Sequence, residues 1–443
     1  MNKAHNIFLK FLEERMKIRS FKIIWIPTLF VMVFFIALPN QTFSKTTKTP
    51  HKPQKPRKVQ TQQAPQPPQT TQSGLECDAQ SAVLMDGLTG QILYEQNPHS
   101  RIAPASFVKV LTLYLVFDAL RAGQLRMDDL VTVSEKAWRI QGSKMFIKVG
   151  DRVKVDDLLK GIAVDSGNDA CVAIAEHLAG SEEVFVTKMN EKATSLGLKE
   201  SQFRNSHGMP ADGQYTTAMD MALLAKRYIE EHPEALALHS TTEFEYNGIR
   251  QGNRNTLLQK NIGVDGLKTG HVEESGYHLL ATAKRDGQRM IAVLMGCEKI
   301  KKRAPETQKL LEYGFKNFST VEAVKKGGSF GPVKVKRGKS DQVILTAAED
   351  ARVTVPKGKE NSVSVHPQLP QFIIAPIQKG QVVAKVFIQN EGKVIKEVRL
   401  LSSSEVLKSI LPSWPVMAAG IVGLVVIGLI GFWWFRRPRQ KRL

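Results

Sequence analysis

Residues 103–110 read "APASFVKV", and the apolar run directly after them makes this stretch the entry to a helix enclosed on every side. From Phe107 to Phe117, "FVKVLTLYLVF", Lys109 is the only charged residue. Apolar residues occupy nearly every face, the pattern of a helix surrounded by a core rather than one lying on a surface. Pro104 stands near the first turn, where its missing N–H costs little, and Gly123 in "RAGQ" suits the exit. Ser106 and Lys109, three apart, share one helix face. A lysine there loses hydration and holds its proton less tightly, which is what a base for a serine hydroxyl requires. Ser-x-x-Lys is a common spacing, and a core lysine snorkelling outward has the same signature. This stretch alone leaves both readings open.

Around this helix the pattern is that of one domain. "SAVLMDGLTGQILYEQ" (81–96) is two apolar runs about Asp86-Gly87, and "GYHLLATAKRDGQRMIAVLMG" (276–296) turns at Asp286-Gly287; both read as hairpins. Helical patterns such as "VDDLLKGIAV" and "AMDMALLAKRYIEE" fill the chain between them. Strands at both ends with helices between predict an α/β domain, a mixed sheet covered by helices, over 76–316. From 317 to 405 short alternating runs ("VKV", "VTV", "VSV", "VVAKVFI") separated by Gly, Pro and Asn predict a small all-β sandwich domain. It carries no chemical constellation, so a spacer or interaction role is expected of it.

The flanks account for most of the net charge of +20. Residues 1–22 hold six Lys/Arg against two Glu, residues 45–75 hold six with no acid, and 436–443 ("RRPRQKRL") hold five. A nucleic-acid binder concentrates such charge on a folded face, so no nucleic-acid partner is expected, and an anionic membrane is the better match. The apolar run 23–38 follows the basic start, which makes 1–44 a basic region with a signal peptide or anchor. Residues 45–75, rich in Pro, Gln and Lys, read as a disordered tether. "WPVMAAGIVGLVVIGLIGFWWF" (414–435) is uncharged, has Trp near both borders and is followed by the basic tail 436–443. It predicts a transmembrane helix with a cytoplasmic C-terminus. The folded part is then expected on the periplasmic, extracytoplasmic side of a bacterial cytoplasmic (inner) membrane.

Cys77, Cys171 and Cys297 form neither a disulfide framework nor a metal-ligand spacing, and the ten histidines are scattered. No metal and no cofactor are expected. His207 in "SHGMP" reads as a loop residue, and Cys171 as a buried helical thiol.

Two further motifs come after the first in order: Ser166-Gly167-Asn168 before an apolar helical run, and Lys268-Thr269-Gly270 ahead of the second hairpin. Each alone is a helix cap or a turn as readily as a site. S-x-x-K, S-x-N and K-T-G together are the active-site set of class A β-lactamases and penicillin-binding proteins. With "GSKMFIKVGDRVKVDDLLKGIAVDSGNDA", "NSHGMPADGQYTTAMDMALLA", "DGLKTGHVEESGYHLLATA" and "APIQKGQVVAKV", the sequence from about 78 to 405 resembles the D-alanyl-D-alanine carboxypeptidases. These low-molecular-mass penicillin-binding proteins trim peptidoglycan stem peptides.

The resemblance implies a penicillin-recognising fold of the β-lactamase/transpeptidase type with a β-sandwich stalk. Its substrate would be the D-Ala-D-Ala end of a peptidoglycan stem peptide, and β-lactam antibiotics would be covalent inhibitors. Ser106 would be the nucleophile, Lys109 its base, and Ser166 a proton relay to the leaving D-alanine. Asn168 would hold a substrate amide, while Lys268 and Thr269 would bind the terminal carboxylate, the charge on Lys268 helping to keep Lys109 neutral. Gly270 would leave room for an extended peptide, and the N–H groups of Ser106 and His271 would form the oxyanion hole. Val108, Met219 and Val272 depart from residues usual in the family at those places, and a full span replaces its usual surface helix. A β-lactamase shares the three motifs but needs a deacylating glutamate, which no matching motif supplies here. A DD-endopeptidase or transpeptidase shares the acyl-enzyme chemistry, and an inactive wall-binding scaffold shares the fold.

Overall fold

Asp86 and Asp286 each close a hairpin, in different ways. The computed structural model describes residues 74–409 and 414–436. The expected signal or anchor segment, almost all of the tether, and the tail beyond Arg436 lie outside the described residues. Between β1 (Ser81–Asp86) and β2 (Ile92–Gln96), the Asp86 carboxylate accepts the N–H groups of Leu88 and Thr89, a side chain standing in for a backbone turn. Three strands come from the other end of the region: β3 (Val264–Val272), β4 (Gly276–Arg285) and β5 (Gln288–Cys297). Asp286 and Gly287 link β4 to β5 with φ of 48° and 80°. Two left-handed residues give a hairpin turn whose twist matches that of its strands.

The strands lie in the order β2-β1-β5-β4-β3, so the two ends of the region meet at the β1–β5 seam. Every pairing is antiparallel. Where a mixed sheet is expected, hairpins and the meeting of the two ends join all neighbours, and no crossover makes a pair parallel. Alternation along the strands then feeds two cores. Val83, Leu280, Ile291 and Val293 face the helices α1 (Val108–Arg121), α2 (Asn168–Ala179), α3 (Glu182–Leu196) and α4 (Ala218–Glu231). Leu84, Leu279, Ala281 and Leu294 face Leu310 and Leu311 of α5 (Ile300–Asn317). As the apolar run predicts, α1 is enclosed: Val110, Leu111, Leu113, Tyr114, Val116 and Phe117 are all buried. Gly123, at φ 69°, follows its end.

The second region begins at β6 (Phe318–Val324), directly after α5. β7 (Ser329–Lys336), β8 (Gln342–Ala347), β9 (Ala351–Pro356), β10 (Val363–Gln368), β11 (Phe372–Ile374), β12 (Val382–Asn390) and β13 (Lys393–Ser402) follow. β6 pairs with β9, and the others form a six-stranded sheet in the order β10-β12-β13-β8-β7-β11. Its one parallel pair is β7 with β11. Val353, Val355, Leu345, Val386, Ile388 and Leu400 share one core, the packing the alternating runs imply. The Asp86 turn meets this region through Thr89 Oγ1 to Thr354 Oγ1, 2.6 Å, and through Thr320, whose hydroxyl donates to the Asp86 carboxylate. α6 (Trp414–Phe435) is apolar throughout its 22 residues. Its stretch Val416–Phe435, with mean hydropathy 2.4, is long and apolar enough to cross a membrane.

Candidate active site

Ser106 lies two residues ahead of α1. It sits on a tight 3₁₀ turn, Ala105–Phe107, that leads into the helix at Val108, with Ala105 at φ 48°. Two glycines explain how this turn is gripped. A Cβ on Gly208 (φ 91°) would lie 1.8 Å from the carbonyl oxygen of Ala105, and one on Gly270 would lie 3.1 Å from Ala105 Cβ and 3.4 Å from Ser106 N. The expectation for Gly270 is room for substrate, but the serine turn itself occupies the space beside it. Below the turn, His278 Nδ1 accepts the N–H of Gly296 at 2.9 Å, which leaves Nε2 as the N–H nitrogen, 3.1 Å from Ala103 O. Burial lowers this imidazole to about 4, so it stays neutral and its tautomer is fixed.

Because alanine fits Gly208 neither in space nor in φ, Gly208→Ala should displace the Ala105–Ser106 peptide. On the acylation of Ser106 that the resemblance implies, a fluorescent penicillin should react about 100-fold or more slowly, the usual cost of misplacing a reacting atom by an ångström. Stopped-flow acylation measures it, and a wild-type rate would show that the turn tolerates displacement.

The first two motifs converge on Ser106 Oγ, and the third lies beside the serine turn through Gly270. Lys109 Nζ lies 3.1 Å away and Ser166 Oγ donates to it at 3.1 Å. Ser166 reaches this place from a left-handed residue (φ 61°) after a wide turn, Gly161–Asp165, that bulges the chain between Val155–Lys160 and α2. Lys109 is fully buried and gives its remaining hydrogen bonds to Asn168 Oδ1 at 2.7 Å and to the carbonyl of His207. Burial is the main cause lowering its pKa to about 8, and Arg254 adds to it. Asn168 is therefore first a partner of the lysine: its oxygen faces Nζ and its amide donates to Gln141 O at 2.6 Å, leaving one N–H for a ligand.

Lys268 is also buried, donates to Thr269 O at 3.1 Å, and is held well below the usual lysine range by burial and then by Lys109, Arg254 and Arg303. The expected influence of Lys268 on Lys109 has its counterpart in the repulsion of Lys268 by Lys109, and the cation that adds to burial at Lys109 is Arg254. Ser106, Thr269, Gly270 and His271 line a cleft of about 880 Å³ with Arg254 and Arg303. His271 is exposed and stacks on Tyr277, ring centroids 4.0 Å apart.

The motifs did not announce the two arginines, the His207 carbonyl, Gly208 or His278. His207 is a loop residue as expected, but a buried one whose Nδ1 accepts the Met209 N–H at 3.2 Å. Cys171 is buried on α2, where desolvation pushes its thiol up to about 12, and all three cysteines are free. Of the departures, Val108 and Val272 are buried apolar residues and Met219 packs against the helical core.

The D-alanyl-D-alanine carboxypeptidase family matches residues 62–299, and the C-terminal domain of penicillin-binding protein 5 matches residues 318–408. The chain is 42% identical to D-alanyl-D-alanine carboxypeptidase DacC of Escherichia coli, over 73% of this chain and 83% of that protein. It is 38% identical to DacF of Bacillus subtilis, over 76% and 88% respectively. Penicillin-binding protein 5 from Haemophilus influenzae superposes with a TM-score of 0.70 at 40% identity, covering 75% of this chain and 99% of that one. A penicillin-binding protein of Listeria monocytogenes in its ampicillin-bound form superposes with a TM-score of 0.51 at 31% identity, over 55% and 100%. With Lys109 and Ser166 converging on Ser106, which lines the cleft, and likeness running through both domains, the chain belongs to the family of serine-type D-alanyl-D-alanine carboxypeptidases.

Proposed function

We propose that the chain releases the terminal D-alanine of peptidoglycan stem peptides through an acyl-enzyme on Ser106. The observation that carries this reading is the pair of 3.1 Å contacts from Lys109 Nζ and Ser166 Oγ to one hydroxyl. Neutral Lys109 takes the Ser106 proton as Oγ attacks the carbonyl carbon of the penultimate D-alanine. The tetrahedral oxyanion is held by the N–H groups of Ser106 and His271. Ser166 passes a proton to the departing amine, and water then hydrolyses the ester.

Lys268, Thr269 and the cationic wall of Arg254 and Arg303 suit the terminal carboxylate. Lys109 and Lys268 repel each other in a dry site, so the carboxylate also settles where the charge resides. It favours the ammonium form of Lys268, and that charge favours a neutral Lys109. A β-lactam presents a carbonyl and a carboxylate to the same groups and is expected to acylate Ser106.

The apolar α6 with the five basic residues after it favours a span anchoring the protein in a bacterial cytoplasmic membrane, with residues 76–405 on the extracytoplasmic side. In this arrangement 76–316 is the catalytic domain and 317–405 the spacer. Mass spectrometry of a stem pentapeptide after incubation tests the activity. Loss of one alanine is expected; a cross-linked product would mean transpeptidation, and an intact peptide with hydrolysed penicillin a β-lactamase.

A further inference from the structure

One end of the C-terminal domain is built from three segments joined backbone to backbone. Ser409 N–H donates to Arg337 O and Lys339 N–H to Leu407 O, while Ala375 N–H donates to Lys336 O and Ile377 pairs with Val406. This end therefore holds residues 336–339, 374–377 and 406–409 in one place. Its side chains are of two kinds. Phe372, Ile374 and Leu407 are large apolar residues exposed by 38%, 57% and 49%. Lys336, Arg337, Lys339 and Lys408 are exposed cations, and among the described residues none of them has a carboxylate in ion-pair range. Asp341 and Glu405 are the acids nearest to them in sequence, so cations predominate. The Lys336 ammonium stands 3.4 Å above the Phe372 ring, which joins the cationic and apolar elements in one patch.

The chain leaves this same end at Ser409, and α6 begins at Trp414. Five residue steps at about 3.6 Å each span at most about 18 Å, so the patch is held close to whatever surface α6 enters. We propose that this end of the C-terminal domain docks on the bilayer beside α6. Its cations would lie among anionic phospholipid headgroups, with Phe372, Ile374 and Leu407 at the acyl boundary. Water-exposed apolar side chains flanked by unpaired cations fit that boundary, where the rings and branched chains are buried and the ammonium groups remain solvated. The domain then rests its base on the lipid instead of swinging freely on a linker. The inference depends on the reading that α6 spans the membrane.

The test is amide hydrogen exchange of the full-length chain in nanodiscs of phosphatidylcholine alone or mixed with phosphatidylglycerol. Amides of 336–341, 373–377 and 405–409 should exchange about fivefold more slowly in the anionic discs, roughly the effect of one cation at a charged surface. The difference should vanish in the Lys336→Glu, Arg337→Glu, Lys339→Glu variant, whose carboxypeptidase activity in detergent should equal wild type. Equal exchange in both lipids, with 414–435 protected in each, would overturn the docking and leave the span intact. If 414–435 is unprotected and the chain separates from the discs, the spanning reading fails and the docking falls with it.

Discussion

Ser106→Ala is expected to abolish covalent labelling by penicillin and to lower release of D-alanine by about 10⁴-fold or more, the scale seen when a catalytic serine is removed. Two observations set this size. Ser106 Oγ is the atom on which Lys109 Nζ and Ser166 Oγ both converge at 3.1 Å. The nearby Cys171 offers no substitute: its thiol is buried and pushed up to about 12, so almost no thiolate exists near neutrality. The substitution removes one oxygen and leaves the clamp of Gly208, Gly270 and His278 intact, so the fold should persist and thermal unfolding should change little. Intact-protein mass spectrometry after incubation with penicillin reads the result directly. An adduct that survives in the variant would take the nucleophile away from Ser106.

How much of the fold and site is legible in the sequence depends on the kind of signal each residue carries. Hydrophobic period and turn chemistry are local, and they place the buried α1, the Asp86 and Asp286 hairpins and the β-rich region near their observed positions. The motif residues are legible because three short patterns occur in order, and they do converge. The roles of Asn168 and Gly270 are less legible, because they depend on what stands opposite each residue. Asn168, expected to hold a substrate amide, faces Lys109, and Gly270 faces the turn that carries Ser106. Arg254, Arg303 and the His207 carbonyl are not legible at all. An arginine in a polar loop, like Arg254, or among the lysines of a helix start, like Arg303, looks solvated, and a backbone oxygen has no residue type. Only the fold brings the two arginines to one cleft, and only the 205–209 loop turns that carbonyl onto the lysine. The antiparallel sheet belongs with these, since the strand pairing of the two chain ends is long-range information.

Lys109→Ala should slow penicillin acylation by about 10³- to 10⁴-fold, the upper part of what a positioned base contributes, and the pH profile of the intact enzyme should show why. On the proposed mechanism the active form of Lys109 is the neutral amine. Its pKa is lowered from 10.5 to about 8, so the acylation rate should rise as pH increases through about 8. Loss of the Lys268 proton, itself held well below the usual lysine range by burial, should lower the rate wherever it occurs, because the ligand carboxylate then meets a neutral amine. Because the two amines repel each other, the profile reports the pair and not either lysine alone. Arg254 supplies a sharper test, since its charge adds to the burial that lowers Lys109. Arg254→Gln should move the rising limb to higher pH, whereas a loss of carboxylate contact alone would weaken binding and leave the limb in place. Stopped-flow acylation across this range measures both. A rate independent of pH on either side of about 8, or a Lys109→Ala variant that acylates at the wild-type rate, would remove Lys109 from its role as base.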